Sequence, residues 1–288
     1  MRNATIAGLA LGLSMGCGGG GPSVTLRFHP PVGAVYHYGL EQRTQITIGS
    51  GPLAGIGAGK QRMMMRMFFT QTVKGAPPDG GTEVDVVFEN MTMEIPGVAT
   101  DQLARELSKL NGMHSTIVYN ERGDIVRTSF RPPAGMPREV ASQMENGMRT
   151  ITFGFPEHPV RQGDSWTFET ALPIGDVPGA DGSKAGSART TVTVHEIRVA
   201  ATDTSVVLDL KTEFPKGPVN VTFGGQTGTL KLDGSLAGHQ QFSMTRGAIL
   251  DGMMQGTTKI LMIGAALGAK GMDMSTDIET SVFLLPGK

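Results

Sequence analysis

The feature that most constrains this chain is a turn that it spells twice. His29-Pro30-Pro31-Val32-Gly33-Ala34-Val35-Tyr36-His37-Tyr38 and His158-Pro159-Val160-Arg161-Gln162-Gly163-Asp164-Ser165-Trp166-Thr167-Phe168 share a His-Pro, a Val, a Gly, and then aromatic-x-aromatic three residues after the Gly. Each reads as a turn feeding a strand. A second echo follows each of them: Arg122-Gly123-Asp124-Ile125-Val126 and Arg246-Gly247-Ala248-Ile249-Leu250 are both Arg-Gly-x-Ile-aliphatic. His29 precedes Gly123 by 94 positions and His158 precedes Gly247 by 89, so the spacing nearly repeats as well. The chain is read as two tandem versions of one β unit, pseudo-repeats over about 24–135 and 155–288, within a single β-rich domain spanning 24–288.

Composition fits that reading. The 288 residues include 41 Gly, only 6% aromatics and 18 Met, as expected of many strands joined by glycine turns. A net charge of -1 with 18% charged residues leaves no basic stripe for phosphates and no acidic tail for a basic partner, which argues against nucleic-acid binding.

The first residues read as an address. Arg2 is followed by the apolar run Ala4 to Gly16 and then Cys17, the one cysteine, so no internal disulfide can form. The run is shorter than the roughly 20 apolar residues of a membrane span and suits a signal peptide over 1–16. Leu13-Ser14-Met15-Gly16-Cys17 resembles a bacterial lipobox, with Leu one position farther from the Cys than usual. A lipidated Cys17 and a glycine-rich tether over 17–23 are expected, and by that resemblance Gly18 favours the outer over the inner membrane, facing the periplasm.

Along the chain, strands are predicted over Val35 to Ile48, Gln61 to Val73 and Thr82 to Ile95, the second apolar on both faces and therefore expected to be covered on both sides. A switch of parity between Phe88 and Met91 predicts a bulge. Thr100 to Asn111 is a helix, capped by Thr100, with Leu103, Leu107 and Leu110 on one face and Gly112 after it. A hairpin joins Ser115 to Tyr119 and Asp124 to Phe130, and a second helix is predicted over about 137–148, bridging the halves. In the second half, strands are predicted over Ser165 to Leu172, Thr190 to Val199, Ser205 to Phe214, Val219 to Phe223, Gly228 to Leu232, Gly238 to Thr245, Ala248 to Met253, Thr257 to Ile263 and Met272 to Leu285, with Gly234 to Gly238 as a turn. The fold class is mainly β (α+β): a large curved antiparallel sheet or half-barrel of about 11–12 strands with two short helices, or alternatively two packed lobes, one per repeat.

Catalytic chemistry finds no purchase. The six histidines are scattered without HxH or HExxH spacing, no GxSxG elbow occurs, and Gly59-Lys60 lacks the flanking residues of a phosphate loop. No metal, cofactor or catalytic residue is expected. Methionine is the remaining signal, because flexible, polarizable thioethers fill cores and also line surfaces for apolar ligands of variable shape. Met63, Met65, Met67, Phe69, Met91, Met93, Met144, Met148, Trp166, Met244, Met262, Met272 and Met274 are the candidate lining. Two uncharged loops, around Leu53 to Ile56 and Ala265 to Leu267, are candidates to touch a bilayer or gate a groove.

Cys17, Gly33 to Tyr38, Pro159 to Thr167 and Gly238 to Ile249 together resemble a family of bacterial lipoproteins built on a domain of unknown function. The resemblance implies an envelope lipoprotein and brings no activity with it. The expected architecture is also similar to the curled half-barrels of envelope lipid carriers, a likeness of fold and not of function. The expectation is a membrane-tethered, non-catalytic protein that holds a lipid or other apolar molecule in a Met-lined groove; the alternative is a structural or assembly lipoprotein that binds a protein partner.

Overall fold

A computed structural model describes residues 21–50, 60–78, 80–133, 136, 152–171, 186–215, 217–223, 226–264 and 271–287. The predicted helix over 137–148, Cys17 with its leader, and both uncharged loops lie outside these residues. So do Met144 and Met148.

The described chain forms one open antiparallel sheet of twelve strands that does not close into a barrel. The first half contributes β1 (Val35–Ser50), β2 (Lys60–Gly75), β3 (Thr82–Glu94), the helix α1 (Thr100–Ser108), β4 (Met113–Tyr119) and β5 (Ile125–Arg131). The second contributes β6 (Ser165–Ala171), β7 (Ser187–Val199), β8 (Thr204–Glu213), β9 (Pro218–Phe223), β10 (Gln226–Ser243), β11 (Ala248–Gly264) and β12 (Met272–Leu284). Their order is β5-β4-β3-β2-β1-β12-β11-β10-β8-β7-β6, with β9 on the free portion of β10. The strand β12 therefore seams the halves, hydrogen-bonding to β1 on one side and β11 on the other. A single sheet, rather than two lobes, is what the described residues build.

The twice-spelled turn folds twice in the same way. Gly33 (φ 82°) and Gly163 (φ 87°) both sit in the left-handed region that glycine adopts without cost. Gly33 N–H donates to Val73 O at 2.9 Å and Val73 N–H to Ala34 O at 2.9 Å; Gly163 N–H donates to Val194 O at 2.8 Å and Val194 N–H to Asp164 O at 2.9 Å. Within each turn, Ala34 N–H bonds Pro31 O and Asp164 N–H bonds Arg161 O. The registers continue alike, Tyr36 opposite Gln71 and Trp166 opposite Val192, each two residues before its valine.

Two strand assignments need correction. The stretch Gly228 to Thr245 is not two strands about a turn at Gly234 to Gly238, because β10 continues through those glycines to Ser243; β11 likewise joins Ala248 to Met253 with Thr257 to Ile263. These glycines serve close approach of two backbones rather than a reversal: a Cβ on Gly238 would lie 1.8 Å from Met253 O, and one on Gly256 would lie 2.0 Å from Ser235 O. The predicted bulge in β3 is present, since Asn90 opposes Phe68 while Phe88 opposes Phe69, leaving Glu89 over.

The core shows how the sheet curls. Val84, Val86, Ile117 and Tyr119 from β3 and β4 share one buried cluster with Val192, Val194, Val206, Leu208 and Phe242 from β7, β8 and β10. Strands at opposite flanks of one sheet meet there because two connecting segments fill the space between them. Leu26 and Phe28 come from the first, Phe155 and Val160 from the second, and Val24 pairs with Val160 as an isolated bridge. Rings run across the gap from Tyr119 to Phe28 (4.6 Å), Phe28 to Phe153 (5.0 Å), Phe153 to Phe155 (5.3 Å) and Phe155 to Phe242 (4.9 Å).

Candidate functional site

Because side chains alternate across a pleated sheet, residues opposed in register lie on one face. One such row runs Met93, Met65, Gln42, Thr280, Met254, Gly238, Leu210, Val192, Trp166 from β3 to β6. Its neighbours on the same face hold Phe88, Phe69, Tyr38 and Leu284; Met91, Met67, Leu40 and Val282; and Met63, Thr44, Ile278, Gly256 and Leu236. Farther from the filled end follow Ile48, Met274, Ile260 and Leu232, then Met272, Met262, Leu230 and Val219. The predicted residues Met63, Met65, Met67, Phe69, Met91, Met93, Met262, Met272, Met274 and Trp166 thus share one face of the sheet.

They do not share one environment. Trp166 and Met244 pack against the filled core, and the indole Nε1–H of Trp166 donates to Gly154 O at 2.8 Å. Met262 packs with Val219, Leu232 and Ile260 around Leu230 in a smaller cluster at the other end. Met63, Met65, Met67, Met91, Met93, Met272 and Met274 are half-buried. Between the two clusters the face carries buried hydroxyls, Thr44, Thr258 and Thr276. The loops expected to touch a bilayer or gate a groove lie outside the described residues.

The opposite face is polar, which the sequence reading of β2 missed. Met64, Arg66 and Phe68 were expected to be covered; Met64 and Phe68 are half-buried, but Arg66 is exposed and its Nε donates to Glu41 Oε1 at 3.1 Å, and Arg62 beside it is exposed as well. This face holds an open trough of about 1070 Å³ that crosses β2, β1, β12, β11 and β10. Arg62 Nε donates to Gln45 Oε1 (3.3 Å), Gln45 Nε2 to Asp277 Oδ2 (3.1 Å), and Thr257 Oγ1 to Asp277 Oδ1 (2.7 Å), one register row linked side chain to side chain. In the next row Arg43 Nη1 lies 2.9 Å from Glu279 Oε1. The alternation Glu41-x-Arg43-x-Gln45 and Asp277-x-Glu279 was the available signal for it.

Titration follows position. Burial pushes the Tyr38 and Tyr119 phenols well above the ordinary tyrosine range, Tyr38 further raised by Tyr36, and half-burial raises Tyr36 itself. On the polar face, the Ser187 hydroxyl and then the Arg189 guanidinium hold the exposed Glu169 carboxyl below its usual value. No group of three or more His, Cys, Asp or Glu side chains that could hold a metal ion occurs among the described residues, and none of their helices is long and apolar enough to cross a membrane.

No protein-family model and no curated protein matches this sequence. Among solved structures, the chain is similar to one of lipid–protein interactions in lipovitellin, at 12% identity and a TM-score of 0.49 over 90% of this chain. It spans 25% of that lipovitellin chain. A second likeness is to DynF from the dynemicin biosynthesis pathway of Micromonospora chersina, at 8% identity and a TM-score of 0.23, covering 92% of this chain and 86% of that one. At these scores nothing about ligands follows from either.

Proposed function

We propose that this protein is a membrane-anchored, non-catalytic envelope lipoprotein that holds a lipid or other apolar ligand against the methionine-bearing face of its sheet. The observation that supports the reading is the half-burial of seven methionines in register rows that also carry Leu40, Ile48, Val282, Met254 and Ile260. Thioethers on such a face adapt to acyl chains of differing shape. Cys17 carries the anchor in this reading, on the periplasmic side of the outer membrane.

The test uses the full chain, purified in a mild detergent and exchanged into buffer. A fluorescent fatty acid is expected to bind with saturable enhancement, and the double variant Met65→Asp, Met274→Asp is expected to weaken it at least tenfold while far-UV circular dichroism stays unchanged. No saturable binding, or equal binding by the variant, defeats the reading. Intact mass spectrometry of membrane-extracted protein tests the anchor, which Cys17→Ala should abolish.

A second reading rests on the edges. Among the described residues the sheet ends at β5 and β6 rather than closing, and such edges template pairing with another chain. A structural lipoprotein would then yield a specific crosslink from a photoreactive residue at Val126, which is 64% exposed on β5, and no fatty-acid binding.

A further inference from the structure

We infer that the trough on the polar face, whose floor includes the Met63, Thr44 and Ile278 row, is a second binding site and that it takes an uncharged carbohydrate chain. The trough crosses five strands, which at about 4.8 Å per strand is roughly 19 Å from β2 to β10. That is long enough for an oligomer and open enough to admit one from the side, since Arg62, Ser235, Ala237, Gln255, Lys259 and Asp277 are all exposed.

The charges decide against ionic ligands. Arg43, Arg62 and Lys259 balance Asp233, Asp277 and Glu279 among the lining residues, so no net field gathers a phosphate or a polycation. The two flanks also differ in what they leave available. On β1 and β12, Arg43 is engaged by Glu279, and Gln45 and Asp277 by each other. On β10 and β11, Asp233, Ser235, Gln255 and Lys259 form no side-chain hydrogen bond or ion pair among the described residues. That flank offers a carboxylate, a hydroxyl, an amide and an ammonium in adjacent rows, because Ser235 opposes Thr257, Asp233 opposes Lys259 and Gln255 opposes Ala237. A sugar hydroxyl both donates and accepts, so neighbouring hydroxyls suit a surface that alternates acceptors with donors. Ala237 leaves the floor low beside Gln255.

The experiment titrates the full chain with maltohexaose, cellohexaose and chitohexaose in turn, with saturation-transfer NMR as the readout. At least one hexasaccharide is expected to give transfer signals that Gln255→Ala with Asp233→Asn reduces at least fivefold and that Ser235→Trp, by filling the trough, removes. Fluorescent fatty-acid binding by the same variants should stay within twofold of the parent, which separates this site from the apolar face and reports intact folding. The inference is overturned if none of the three gives transfer signals, if Ser235→Trp leaves the signals unchanged, or if a heparin hexasaccharide binds more tightly than all of them and is displaced by salt, since that would make the site an anion site.

Discussion

The two ends of the apolar face belong to one sheet yet differ in what they are made of. Where β3, β4, β7, β8 and β10 close around the connecting segments, the side chains are Val, Ile, Leu and Phe, and Leu26, Phe155, Val160, Val206 and Phe242 are fully buried. Where β1, β2, β11 and β12 run on past that cluster, the face turns to Met and Thr and the methionines are half-buried. Branched and aromatic side chains have few rotamers and specify one packing, whereas methionine has three rotatable bonds and specifies little. The difference teaches that stability and adaptability are divided along the strand axis rather than between domains: one end fixes the curl and the other is free to conform.

The largest effect should come from the filled end. Phe155→Ala removes a ring in contact with Phe153 and Phe242 at the point where the two flanks meet, so urea unfolding should show a loss of about 3–5 kcal/mol. Met274→Ala, at a half-buried site, should cost under about 2 kcal/mol by the same measurement, since less surface leaves water and the neighbours can relax. Equal losses would break the comparison outright.

The division was only partly visible in the sequence. Strand and turn chemistry was local and therefore legible: the Gly33 and Gly163 turns, the bulge near Glu89 and the helix from Thr100 each follow from residues within a few positions of one another. The twelve-stranded sheet could be anticipated from hairpin order. What fills the concave end could not, because Phe28, Phe153 and Phe155 lie in segments without periodicity and acquire their role from contacts with Tyr119 and Phe242 far along the chain. Methionine at alternate positions drew attention to strands whose register puts Met65 and Met274 on one face, but gave no sign that Trp166 and Met244 pack into the filled end. The glycines of β10 and β11 misled for a physical reason: a glycine needed for close backbone approach and one needed for a turn are written with the same letter.

A smaller effect sharpens the description of the filled end. Gly247 has φ 60°, and a Cβ there would lie 2.5 Å from Pro30 N, so the β10–β11 turn is pressed against the segment that enters β1. Gly163, at φ 87°, faces open space. Alanine at Gly163 should cost roughly 1–2 kcal/mol from backbone conformation alone, and alanine at Gly247 clearly more, because backbone must also move. Thermal unfolding of the two variants side by side reads the difference. Similar losses would mean that Pro30 yields freely and that the entry segment is not part of the solid end.

The tyrosines give the filled end a pH signature. Tyr38 and Tyr119 stay neutral in the fold, with pKa raised by burial, whereas in the unfolded chain they ionise near pH 10. Stability from these groups is therefore complete below about pH 10 and declines as pH rises above it, by about 1.4 kcal/mol per pH unit for each tyrosine. Denaturant midpoints measured from about pH 10 upward should show this slope, and Tyr119→Phe should remove one tyrosine's share of it while leaving the midpoint at pH 7 nearly unchanged.

The smallest effect belongs to the polar face and has the opposite sign. The Glu169 carboxyl is held low by the Ser187 hydroxyl at 2.9 Å and by Arg189 at 3.3 Å, so its contribution is present above about pH 4.5 and is lost as pH falls through the folded value. The group is fully exposed, and water screens most of what its partners contribute. Glu169→Gln should then shift the midpoint at pH 7 by no more than the scatter of replicate measurements and should leave the alkaline slope of the tyrosines untouched. A loss at pH 7 comparable to that of Gly163→Ala would mean that the β6 edge is held by its polar row rather than by Trp166 and Phe168 beneath it, and the assignment of stability to the apolar face alone would fail.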